Sequence, residues 1–217
     1  MKFKSVQLNR ASRQVRVPMA RGELQRAKGL ADQLLDVAER IQDPSFLLEA
    51  HHSQWSTRFW LGELNEARQH TDIGIQLYDP EKHGTHAYIY GGHDPGLCGL
   101  FFSAWTLWLL GYPETALESN RRAYELALQL SKEAFRNYAA IWGSLLSTLR
   151  SEPLSERDDL IRYTASFESN RSVFNLSDQC GAHVYRGSDL VRRGELDEGI
   201  ALLRKGLSLQ PEAELRL

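Results

Sequence analysis

Residues 107–118 read LWLLGYPETALE, and residues 58–69 read RFWLGELNEARQ. Each ends an aromatic, apolar run with Leu-Gly, continues into an acidic turn, and places Ala five residues after the Gly. The phrase recurs as Gly22-Glu23-Leu24-Gln25-Arg26-Ala27 and as Gly194-Glu195-Leu196-Asp197-Glu198-Gly199. A worn copy stands at Ser151-Glu152-Pro153-Leu154, which keeps the acidic residue and loses the Gly. A period of about 40 residues predicts a solenoid of helix pairs.

The physical content of the phrase is a helix end joined to a helix start. Gly accepts positive φ without a Cβ penalty and closes the first helix, while the acidic residue suits the positive N-terminus of the second. The small residue that follows (Ala27, Ala67, Ala116 or Gly199) lets two antiparallel helices approach closely. On this reading first-of-pair helices lie near 45–61, 94–110, 132–149 and 174–193, and second-of-pair helices near 23–41, 63–78, 113–130, 155–168 and 196–209. Pro44, Pro80, Pro95, Pro113, Pro153 and Pro211 fall at the boundaries, where a residue lacking an N–H is accepted. Pro18 alone falls inside a predicted helix. All five tryptophans lie on first-of-pair helices, which predicts that this layer is the more buried one. No segment alternates as a strand does.

The expected fold is therefore all-α, a right-handed α-α superhelix of about five helix pairs. Residues 1–20 are expected to form a degenerate or partly ordered first helix, because Arg10, Arg13, Arg16 and Pro18 interrupt its apolar face, and residues 21–217 the repeat domain.

Composition narrows the function. Twenty-six basic against twenty-eight acidic side chains give a net charge of −2, which offers no excess of positive charge to a phosphate backbone, so nucleic acid is not an expected partner. The longest apolar run, Leu97 to Leu110, is shorter than the ~20 residues that span a bilayer, and no membrane association is expected. Cys98 and Cys180 form no C-x-x-C pair and suit a reducing, cytoplasmic compartment, each as a small core residue.

Around Gly194, the placement of Gly187, Leu190 and Pro211 resembles a tetratricopeptide repeat. Residues 78–96, YDPEKHGTHAYIYGGHDPG, followed by LWLLGYPETALE, resemble the helical C-terminal region of large bacterial signalling ATPases that also carry adenylate/guanylate cyclase or DNA-binding domains. The resemblance covers roughly residues 20–210 and implies a partner-binding or sensory solenoid. The chain has no G-x-x-x-x-G-K-[ST] phosphate loop and no paired cyclase aspartates, so neither activity transfers to any residue here. Gln54 and Arg58 stand where that family usually carries Leu. The chain resembles a fragment, or a product that has lost N-terminal modules.

Among side chains with chemistry, His83, His86, His93 and Asp94 are the candidate metal ligands, four within twelve residues, although H-x2-H-x6-H-D matches no spacing with a known mechanism. The structural alternative makes Asp94 the N-cap of the helix opened by Pro95, with the histidines as packing or loop residues and Gly84, Gly91 and Gly92 suggesting a mobile loop. His51 and His52 beside Glu49 do not form H-E-x-x-H.

These residues point first to a non-catalytic module that binds a peptide or neighbouring domain on its concave face, with His52, Gln54, Arg58 and Trp105 as candidate contacts. The partner would be a protein or peptide, with an upstream ATPase module or self-association as particular cases, and no cofactor is expected. The alternatives are a small-molecule sensor regulating an upstream ATPase or cyclase, and a metal-dependent enzyme using the His83, His86 and His93 loop. Leu202, Leu203, Leu207 and Leu209 are expected to leave apolar surface at the C-terminal end.

Overall fold

The computed structural model describes residues 14–91, 93–151 and 176–214. Among them every regular element is a helix, and the chain divides into two compact units, Met1–Leu130 and Ser131–Leu217. In the first unit α1 (14–20) is followed by α2 (Leu24–Ile41), α3 (Pro44–Leu61), α4 (Leu64–Leu77), a short α5 (Pro80–His83), a π-turn (Ala87–Gly91), α6 (Pro95–Leu109) and α7 (Pro113–Gln129). The second unit holds α8 (Glu133–Leu149), α9 (Leu176–Arg192) and α10 (Leu196–Glu214). Packing joins helices close in sequence: α2 on α3, α3 on α4, α4 on α6, α6 on α7, and α9 on both α8 and α10. The second-of-pair helix expected near 155–168 lies outside the described residues.

Two punctuation marks alternate along the chain. The first is the glycine turn, and it is built the same way four times. Gly22, Gly62, Gly111 and Gly194 have φ between +74° and +88°. In each, the Gly N–H donates to the carbonyl three residues back, and the next N–H donates to the carbonyl five back, as in Gly62 to Phe59 (3.0 Å) and Glu63 to Arg58 (2.9 Å). This paired bonding is the Schellman closure, and it satisfies carbonyls that a helix end otherwise leaves orphaned. The acidic residue after the Gly stands at the start of the second helix, as expected. Glu23 and Glu63 precede α2 and α4 without any side-chain cap, and the Glu63 carboxylate turns to Lys28 and Arg58 instead.

The second mark is Asp-Pro. Asp43, Asp79 and Asp94 each accept a hydrogen bond from a backbone N–H of the following first turn, and Pro44, Pro80 and Pro95 open those helices. The aspartate satisfies an orphan donor, and the proline occupies a position whose N–H has no partner.

Burial follows the layering that the tryptophans implied. α3 and α6 are buried along most of their length, whereas α2, α4 and α7 bury a stripe of small residues, including Ala27, Ala31 and Ala38 on α2 and Ala116, Ala123 and Ala127 on α7. Where α9 crosses α10, a Cβ on Gly199 would fall 2.9 Å from the Gly187 carbonyl oxygen, so the small residue there is a condition for the approach of the two helices.

Two expectations are corrected. The helix expected to end near 209 runs through Pro211 to Glu214. The histidine-rich segment is not an open loop: it folds as a capped turn, a π-turn and a second capped start, with His83 and His86 buried. At the worn repeat α8 stops where expected, and Ser151 itself takes φ +56°, so a non-glycine residue does what Gly does elsewhere. Val15 is buried in α1 and packs with Ala27, Ala31, Leu34, Phe46 and Tyr90, so an apolar contact survives on that interrupted face.

Candidate functional site

The densest polar chemistry in the first unit sits where the middle of α3 meets the connection 78–94 and the first turn of α6. Glu49 and His52, one turn apart on α3, share a face by helical spacing. The Glu49 carboxylate is buried and receives two imidazoles, His86 Nδ1 at 2.7 Å on one oxygen and His52 Nδ1 at 3.2 Å on the other. The far nitrogen of His52, Nε2, lies 3.1 Å from His93 Nε2 and 3.2 Å from Cys98 Sγ. Cys98 is placed by the Asp94-Pro95 helix start, its N–H bonding the Asp94 carbonyl at 3.0 Å. Trp55, fully buried, stacks on the His52 ring with centroids 4.8 Å apart and fixes its plane.

The electrostatics are mutual. Burial pushes the Glu49 carboxyl up, but the bonds and charge of His52 and His86 outweigh it and hold the group well below the usual carboxylate range. Burial pushes His52 down, while Cys98 and Glu49 on either side of its ring raise it above the ordinary imidazole value. Burial pushes the Cys98 thiol up, and His52 and His93 reverse that and hold it below the ordinary thiol value. A buried carboxylate, an imidazole and a thiol therefore form one hydrogen-bonded line.

The candidate ligands are sorted by this geometry. His93 belongs to the convergent group, but its companions are His52 and Cys98 rather than His83, His86 and Asp94. The side-chain ligand atoms of His52, His93 and Cys98 lie within 4.8 Å of one another. His83 Nδ1 accepts from the Asp79 N–H at 3.0 Å, a turn-stabilising role. Asp94 is the N-cap: one oxygen accepts from the Gly96 and Leu97 N–H groups, and the other accepts from the Tyr78 hydroxyl at 2.9 Å. Its carboxylate is committed to structure.

The expected partner contacts are also redistributed. Trp105 is fully buried, in contact with Phe59, Phe101 and Phe102, and is a core residue rather than a surface contact. Gln54 is 1% exposed and donates to Asp32. Arg58 bonds Gln54, Asp32 and Glu63 at once, so it ties α2, α3 and the start of α4 together. His52 faces inward to the cluster. Sequence reasoning assigned Cys98 to packing, and His52 stands forty-odd residues from His93, so no local spacing marked them as companions.

A separate feature lies at the tips of the glycine turns. Trp60, Leu109 and Tyr112, beside Gly62 and Gly111, are each 49% exposed. The Arg68 guanidinium of α4 lies 5.0 Å over the Tyr112 ring, which brings the two turns to one edge of the unit.

An uncharacterized protein of Rhizobium meliloti (strain 1021) is 30% identical to this chain over 192 residues, covering 83% of the chain and 18% of that protein. The chain thus spans less than a fifth of the length of the curated relative it matches. No family model matches the chain. None of the described helices is long and apolar enough to cross a membrane.

Proposed function

We propose that the protein is a non-catalytic helical-repeat module of a signalling protein, a tetratricopeptide-like right-handed superhelix that holds a protein or peptide partner in the cytoplasm. The observation that carries this reading is the exposed aromatic edge at the repeated turns. Trp60 extends the edge-to-face and tilted ring cluster of Phe59, Phe102 and Trp105 outward to the surface, and Tyr112 and Leu109 stand at the neighbouring turn. Large half-exposed aromatic side chains on a rigid support are what protein interfaces use as anchors. The much greater length of the matched relative supports a module that works beside other domains.

Photo-crosslinking tests this directly. A benzophenone amino acid at Trp60 or Tyr112 should give a discrete crosslinked protein in the cells that make the chain, whether a second copy or another protein. The same group at Arg121, an exposed position on α7, should not. Equal labelling at all three positions would contradict an anchored partner at this edge.

A further inference from the structure

We propose that His52, His93 and Cys98 bind a thiophilic divalent transition ion of the Zn²⁺ class, with Glu49 holding His52 in the tautomer that presents Nε2 to the ion. This site is independent of the partner-binding edge. Three candidate ligand atoms of two chemical kinds converge from three places in the chain: α3, the end of the 78–94 connection, and the first turn of α6. Tetrahedral zinc with Zn–N of about 2.05 Å and Zn–S of about 2.3 Å separates its ligand atoms by roughly 3.3 to 3.6 Å. The two separations from His52, 3.1 Å to His93 and 3.2 Å to Cys98, differ from those values by only a few tenths of an ångström, and all three atoms lie within 4.8 Å of one another, so the His93 and Cys98 side chains would close on the ion.

The tautomer follows from Glu49. An ionised carboxylate is an acceptor only, so the His52 Nδ1 facing it must carry a proton, and Nε2 is the nitrogen that releases its proton to solvent when the ion binds. A carboxylate behind a histidine ligand is the usual way in which proteins orient that ligand and raise its basicity. Charge also balances, since the Glu49 carboxylate and a Cys98 thiolate together neutralise a divalent ion in a buried place. A thiolate with two imidazoles selects zinc-like ions over magnesium or calcium, which prefer oxygen. His52 and His93 are only partly buried, which gives the ion a route in, and three protein ligands leave the fourth position for water.

Cobalt(II) added alone to the metal-free, reduced protein supplies the test. The expected result is about one equivalent bound with a thiolate-to-cobalt charge-transfer band, displaced by Zn²⁺ and unaffected by Mg²⁺. Cys98→Ser should abolish the band, and Cys180→Ser should leave it intact. Glu49→Gln should weaken binding by about 10- to 100-fold. Because Glu49 also holds His86, His93→Gln provides a second variant outside the α3 core, expected to weaken binding at least as much. A missing thiolate band in the wild type, a band that survives Cys98→Ser, or alkylation of Cys98 undiminished by saturating Zn²⁺ would each overturn the assignment. The last of these would mark Cys98 and His52 as a thiolate–imidazolium pair instead.

Discussion

Gly62 shows how much one residue decides. At φ +79° it closes α3, and nothing lies within 4 Å of the place where a Cβ would be, so its requirement is backbone conformation and not space. Gly62→Val should therefore lower stability by about 1 kcal/mol or more, read as a shift in urea midpoint with unchanged slope. Gly74 is the opposite case. It is mid-helix with ordinary φ, but a Cβ there would come 2.2 Å from the Trp55 ring. Gly74→Ala should cost roughly 1–3 kcal/mol by overpacking, despite the better helix propensity of Ala, and should disturb the stack of Trp55 on His52. A thermal midpoint equal to wild type would show that Trp55 is free to move. The two glycines also mark what sequence could tell. Gly62 sits in a repeated phrase with a local cause, whereas the need for Gly74 arises from a tryptophan nineteen positions away.

At the scale of elements, the helices were legible because their ends carry their own chemistry. The boundaries of α2, α3, α4 and α6 to α8, and the end of α9, fall within about two residues of expectation, since Gly turns and Asp-Pro starts act through bonds within a few residues. The segment 78–94 was less legible. Its capped turn and π-turn depend on His86 reaching Glu49, His93 reaching His52, and the Tyr90 carbonyl accepting from Arg16, all over long separations. The α3–α4 pair carries a pH dependence of its own. His51 Nδ1 and His70 Nδ1 are 2.9 Å apart. Burial first, then the neighbouring His51 and Arg58, hold His70 down to about 4, with Asp32 and Glu66 opposing. The unfolded chain takes up a proton near the ordinary value that the folded chain refuses. This part of the stability is accordingly full above about pH 6.5 and is lost as pH falls toward about 4. Urea midpoints at about pH 7.5 and about pH 5 should diverge more in the wild type than in His70→Gln. An identical divergence in both would show that His70 titrates normally.

For the whole molecule, the described helices follow the expected pairing, and among the described residues the densest polar chemistry lies in the first unit. Charge balance, hydropathy and the absence of a phosphate loop narrowed the function class, but they could not assemble His52, His93 and Cys98, because the site exists only once α3 and α6 are packed with the connection between them. A bound ion would join all three segments and should raise the thermal midpoint of the first unit, since a ligand that binds only the folded state stabilises it by mass action. Zinc K-edge absorption on the protein loaded with one equivalent of Zn²⁺ tests this assembly most directly. The predicted first shell has one sulfur at about 2.3 Å and nitrogen or oxygen neighbours at about 2.0–2.1 Å that include imidazole scattering. A shell of nitrogen and oxygen alone, unchanged in Cys98→Ser, would contradict it.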